Sequence, residues 1–197
     1  ASNDSAVERT TVIVDDQVPP DVVGIPGREP DSNGWYARAV MIDWRATDPD
    51  PSSGAPDDPP DTRAETEGRD IEYTSERSCD PAGNCARGRR TLSIDATDPR
   101  VTCASERPVC RRAEEATTRS ADVSDDLSGA VEKHLSAPAD TSRVGVGTVE
   151  FTGSDEAGNR TTVGCEFVVR YVFEGFLPPL HGGRIPNIAK AGQTIPL

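Results

Sequence analysis

A chain of 197 residues has room for one large domain or two small ones, and only 34% of it is apolar against 28% charged. Its 34 acidic and 21 basic residues leave a net charge of −13, which repels a phosphate backbone and argues against nucleic acid as a partner. Seventeen prolines and 17 glycines break helices, and no apolar run reaches the ~18 residues that a membrane span needs.

In chain order, Asp4-Ser5-Ala6-Val7-Glu8 is followed by a β-prone run from Thr10 to Val14 and an acidic, proline-containing joint, Asp15-Asp16-Gln17-Val18-Pro19-Pro20. Residues 35–46 then alternate. Val40, Ile42, Trp44 and Ala46 face one way and Met41, Asp43 and Arg45 the other, which predicts a half-buried strand with Trp44 in the core. Trp35 and Tyr36, after Asn33-Gly34, either cover a sheet edge or offer an exposed stacking platform for a sugar. Residues 48–61, with clustered prolines and acids, read as a long loop, and Ile71 and Tyr73 open another strand.

That strand leads to the turn Asp80-Pro81-Ala82-Gly83-Asn84, a β-prone run from Thr91 to Ile94, and a second joint, Asp95-Ala96-Thr97-Asp98-Pro99. The order then repeats with a thinner middle. Residues 119–123 stand where the Trp44 strand stood, Asp125-Asp126-Leu127-Ser128-Gly129 replaces the acidic loop, and Asp155-Glu156-Ala157-Gly158-Asn159 is the second copy of the turn. Val149, Phe151, Val163, Cys165, Phe167, Val169 and Tyr171 alternate toward a second core. A motif returning after about 75 residues describes a string of small β modules. The boundaries are 1–17 for the closing strand of a preceding repeat, 18–96 and 97–172 for two modules, and 173–197 for the start of a different unit.

Five cysteines predict disulfides and an oxidising compartment. Cys79 and Cys85 flank the first turn closely enough to staple its arms. Cys103 either bridges to Cys165, tying the first strand of the second module to its last, or to Cys110. Zinc is disfavoured, because no Cys-x-x-Cys occurs and His134 and His181 stand apart. Gly-x-Ser-x-Gly is absent too, and neither histidine has a nucleophile at a meaningful offset, so the chain is expected not to be an enzyme.

Trp35-Tyr36 before an alternating strand, the Asp…Ser-Gly loop, Asp-x-Ala-Gly-Asn before the last strand and an Asp-x-x-x-Pro joint resemble tandem bacterial immunoglobulin-like repeats, related to hyalin-repeat modules. Residues 173–197 resemble the start of a PxKF domain. The resemblance implies an all-β chain of two tandem antiparallel immunoglobulin-like sandwiches, secreted or displayed at the cell surface. It implies a stalk or adhesin spacer contacting neighbouring repeats and a cell-surface protein or polysaccharide. The alternative is an accessory, carbohydrate-binding region of a secreted hydrolase.

In that fold the joint, the loop after the second strand and the turn before the last strand meet at one pole of each module. This would gather Asp15, Asp16, Asp48, Asp50 and Asp80 at one joint, and Asp95, Asp98, Asp125, Asp126 and Asp155 at the next. Of these, Asp16, Asp48, Asp50, Asp80, Asp98, Asp125, Asp126 and Asp155 are the candidate calcium ligands, since Ca²⁺ takes six to eight oxygens from such groups. The competing reading is structural: Asp80, Asn84, Asp155 and Asn159 cap their own turns, and Gly83 and Gly158 supply positive φ.

Overall fold

The computed structural model describes residues 15–104, 109–111, 117–171 and 191, with the backbone alone described at 109–111. The expected strand from Thr10 to Val14, the worn motif before it, the PxKF-like segment and the side chain of Cys110 lie outside the described residues. What is described is all-β: the described residues contain no helix.

The first repeat builds two three-stranded sheets. One has the order β1 (Asp21–Pro26), β3 (Val40–Thr47), β4 (Thr62–Ala64), both pairings antiparallel. The other has the order β2 (Trp35–Tyr36), β8 (Arg89–Ile94), β5 (Gly68–Thr74), with β2 parallel and β5 antiparallel to β8. A small ribbon, β6 (Ser78–Cys79) with β7 (Cys85–Ala86), carries the first turn. Period-two patterning directs one set of side chains from each sheet into a single cluster of Tyr36, Val40, Ile42, Trp44, Ala64, Leu92 and Ile94, with Val22 and Tyr73 packed against it. Burial in β3 follows the predicted alternation, and Trp44 is fully buried.

Residues 35–46 are not one strand. Tyr36 pairs with Ile94 in one sheet, the backbone N–H of Ala37 donates to Asp31 Oδ2 (2.8 Å), and the chain re-enters the other sheet at Val40. The apolar alternation alone is blind to such a switch, because both halves point inward. The 48–61 loop spans the gap between β3 and β4 as expected. It is pinned by Arg45, which bonds Asp58 (2.9 Å) and Asp43 (2.7 Å), and by Ser78 Oγ donating to the carbonyl of Asp57 (2.7 Å).

The second repeat has the sheets β9 (Arg100–Cys103), β11 (Thr118–Ser124), β12 (His134–Pro138), ordered β12-β11-β9, and β10 (Val109–Arg111), β13 (Gly145–Ser154), β14 (Arg160–Arg170), ordered β10-β14-β13. β10 runs parallel to β14, as β2 does to β8. In β11 the inward positions are Arg119, Ala121 and Val123, so the expected poverty of apolar residues there is real. Phe151, Cys165, Phe167 and Val169 are buried, while Val149 and Val163 are half-buried. Tyr171 departs from the predicted pattern: it is 66% exposed, one residue beyond the end of β14.

The described residues divide into two compact units. One comprises those within Ala1–Thr102, Asp122–Leu135 and Thr152–Thr162; the other comprises those within Cys103–Ala121, Ser136–Phe151 and Val163–Leu197. The larger unit therefore holds both turns and both acidic loops.

Candidate functional site

Two carboxylate triads stand out, built alike from corresponding positions of the two repeats. In the first, Asp16 precedes β1, Asp48 follows β3 and Asp80 opens the turn between β6 and β7; one carboxylate oxygen of each lies within 4.8 Å of the others. In the second, Asp95 follows β8, Asp125 follows β11 and Asp155 follows β13, with the same 4.8 Å limit. Asp16, Asp80, Asp95 and Asp155 are buried, Asp95 and Asp155 at 0% and 1% exposure, and Asp48 and Asp125 are half-buried.

The hydrogen-bond scheme is nearly the same in both. The joint aspartate spans two segments: Asp16 accepts from the backbone N–H of Val18 (2.9 Å) and of Ser53 (2.9 Å), as Asp95 does from Thr97 (3.1 Å) and Ser128 (3.0 Å). The loop aspartate closes its own loop. Asp48 accepts from Ser52 Oγ (2.8 Å) and the N–H groups of Ser53 (3.1 Å) and Gly54 (3.3 Å), and Asp125 from Leu127 N–H (3.1 Å), Gly129 N–H (2.7 Å) and Ser128 Oγ (3.4 Å). The turn aspartate caps its hairpin: Asp80 accepts from Asn84 N–H (2.9 Å) and Nδ2 (3.0 Å), and Asp155 from Asn159 N–H (2.8 Å), Asn159 Nδ2 (2.8 Å) and Gly158 N–H (2.7 Å). Gly83 and Gly158 sit at φ 95° and 100°, a backbone that a side chain would strain.

The turn asparagines do more than cap. Asn84 Nδ2 also donates to the carbonyl of Asp16 (3.0 Å), and Asn159 Nδ2 to those of Asp95 (2.9 Å) and Thr97 (3.2 Å), so each amide clamps its turn to the joint. Sequence reasoning gave these residues only the local role; their recurrence at the same place in each repeat was the available signal.

Of the predicted ligands, Asp16, Asp48, Asp80, Asp125 and Asp155 are gathered. Asp50, Asp98 and Asp126 are exposed and belong to neither triad; Asp98 and Asp126 line an open cleft of about 430 Å³ with Thr97, Arg100, Ser124, Asp125 and Leu127. Asp95 occupies the position assigned to Asp98, because its N–H is still held by the carbonyl of Tyr36 (3.0 Å), directing the residue after β8 inward. The readable signal was the shared Asp-x-x-x-Pro joint, Asp16 to Pro20 and Asp95 to Pro99, in which Asp98 stands where Pro19 does. Trp35 and Tyr36 are each 3% exposed, Trp35 lying under the guanidinium of Arg69 (4.7 Å) and Tyr36 under that of Arg28 (4.9 Å). Both rings are packed against their neighbours and neither offers an open stacking face.

Carboxylates about 5 Å apart repel by roughly 1 kcal/mol at the dielectric of water and about 3 kcal/mol at that of a protein surface. Hydrogen bonds to ionised groups, worth about 1.5–3 kcal/mol each, offset this and make each triad a three-way staple of joint, loop and turn. For Asp16 the N–H of Val18 is the main cause that holds the carboxyl below its ordinary range; desolvation opposes it, and Ser53 reinforces it. A folded-state value depressed below the unfolded one stabilises the fold above about pH 4, and that contribution fades as pH falls through the folded value. Urea midpoints measured down the acid limb are accordingly expected to fall less steeply for Asp16→Asn than for the parent. Parallel pH profiles would mean that Asp16 does not govern this limb.

A hard cation fits the first triad chemically, because three carboxylates converge and Asp48 Oδ1 is buried with no hydrogen-bond partner among the described residues. Backbone carbonyls and waters would have to complete the shell. The second triad has no such orphaned oxygen among the described residues.

The structure joins Cys79 to Cys85 and Cys103 to Cys165, which decides the pairing of Cys103 and points to an oxidising, non-cytoplasmic setting. No protein-family model, curated protein or solved structure matches this chain.

Proposed function

We propose that the chain is a non-enzymatic stalk or spacer segment of a secreted or surface protein, built from immunoglobulin-like sandwiches in series. The observation that carries this reading is the duplicated staple. Each repeat uses buried carboxylates and an asparagine amide to fix the backbone that leads into it. A spacer needs joints that resist bending, and a joint tied to both a loop and a hairpin turn meets that need.

Calcium belongs to the same proposal at the first triad, where Asp16, Asp48 and Asp80 would hold the ion and its charge would cancel their mutual repulsion. An affinity near 10⁻⁴ M, usual for extracellular modules, would give about 1–2 kcal/mol of stabilisation in millimolar calcium. Melting and small-angle scattering of the whole chain, with calcium and with chelator, test both parts. The expected result is a higher melting temperature with calcium and an elongated, stiff particle in either buffer. Superimposable melts remove the calcium; a particle whose scattering requires freely reorienting domains removes the spacer.

A further inference from the structure

We propose that Asn33-Gly34 is a site of spontaneous covalent modification, at which conversion of the amide to a carboxylate breaks a contact with the second turn. Asn33 and Gly34 are the central residues of a tight turn, with φ 46° and 81°, closed by Trp35 N–H donating to the Ser32 carbonyl (2.7 Å). Both are exposed, and a Cβ placed on Gly34 would meet nothing within 4 Å. The N–H of Gly34 has no hydrogen-bond partner among the described residues. It is the only Asn-Gly pair in the chain.

The chemistry follows from those neighbours. The backbone nitrogen of Gly34 loses its proton to water or hydroxide and attacks Cγ of Asn33; the new C–N bond closes a five-membered succinimide as the Cγ–Nδ2 bond breaks and ammonia leaves. Water then adds to one of the two ring carbonyls, opening the ring to aspartate or to isoaspartate. A glycine on the C-terminal side is what makes the attack sterically accessible, since no Cβ crowds the approaching nitrogen. Asn84 and Asn159, the other asparagines within the described residues, are followed by Cys85 and Arg160, and their amides are engaged in the staples.

The consequence is structural. Asn33 Nδ2 donates to Glu156 Oε2 (2.5 Å) and approaches the Glu156 carbonyl (3.4 Å), so this turn and the second hairpin turn hold each other within the larger unit. After conversion, the donor is gone and a second carboxylate faces Glu156. Isoaspartate also adds a backbone methylene at position 33, separated only by Gly34 from buried Trp35 and Tyr36, where β2 starts. The reaction runs one way, so the contact is lost with the age of the molecule rather than switched reversibly.

The test is to incubate the folded chain in mildly alkaline buffer and follow each asparagine by peptide mapping that separates aspartate from isoaspartate. Position 33 is expected to convert at least about tenfold faster than 84 or 159, because an exposed turn opens far more readily than a half-buried amide held by several hydrogen bonds. Conversion at 33 that is no faster than at 84 and 159, in a sample whose urea-unfolded control reacts at 33, would overturn the site. The structural half is read separately from melting temperatures of Asn33→Asp, Glu156→Gln and the double variant. The first should melt below the parent, and the double variant should recover most of that loss; strictly additive shifts would overturn the role of Glu156.

Discussion

Trp44→Ala is expected to lower unfolding stability by about 3–5 kcal/mol, the range for removing a large buried aromatic. The side chain is fully buried between the two sheets of the first repeat, and its Nε1 donates to Thr62 Oγ1 (2.9 Å), linking β3 to β4 through side chains as well as backbone. The ring also fills the space that two glycines leave. A Cβ on Gly24 would stand 2.5 Å from its Cζ3, and one on Gly88 2.7 Å from the same atom. Backbones brought this close cannot collapse further to fill the void that alanine leaves, so both the transfer cost and the cavity cost should be felt. Asp16 and Asp48 lead into β1 and out of β3, so the staple is anchored on the strands that clasp this ring. Trp44→Phe keeps most of the volume and drops the hydrogen bond, and should cost far less. Urea titrations followed by circular dichroism measure both; a cost for alanine under about 1.5 kcal/mol would mean that the sheets do not rest on this residue.

The strand pattern was legible wherever one face is apolar and the other polar: Val40, Ile42 and Trp44 against Met41 and Arg45 define an inward face through the order of residues alone. Period two carries no information about which sheet a strand joins, so the passage from β2 to β3 through residues 37–39 was invisible. The acidic convergence was likewise readable as repeated motifs. Which aspartates turn inward is decided by backbone bonds such as that from Asp95 N–H to the Tyr36 carbonyl, between residues far apart in sequence. Exposure of Trp35 was the harder question. Its neighbours Asn33 and Gly34 advertise a surface turn, yet the next residue is already in a strand and covered by Arg69.

The two disulfides should differ in worth by about a factor of two, and the longer one matters more because of where it sits. In the chain-entropy account, a bridge closing about 60 residues contributes about 4 kcal/mol and one closing about 6 residues about 2 kcal/mol. Cys103 and Cys165 are 62 positions apart, and Cys79 and Cys85 only 6. The long bridge closes the smaller unit, where Phe167 and Val169 form a cluster supported by partly buried Ala139 and Val149; the core of the first repeat has seven buried members. Of the inward residues of β11, only Ala121 and Arg119 belong to that unit, so cross-linking offsets a lack of apolar area rather than supplementing an ample one. Replacing Cys103 and Cys165 together by alanine is therefore expected to unfold the smaller unit at ordinary temperature or bring it close to that point, as loss of cooperative near-ultraviolet dichroism on heating would show. The Cys79 and Cys85 pair, replaced the same way, should leave a folded chain with a modestly lower melting temperature, since Asp80 and Asn84 still close the turn from inside. If the short bridge proved the costlier to remove, chain entropy would not be the governing term, and the turn it encloses would have to be the element on which the larger unit depends.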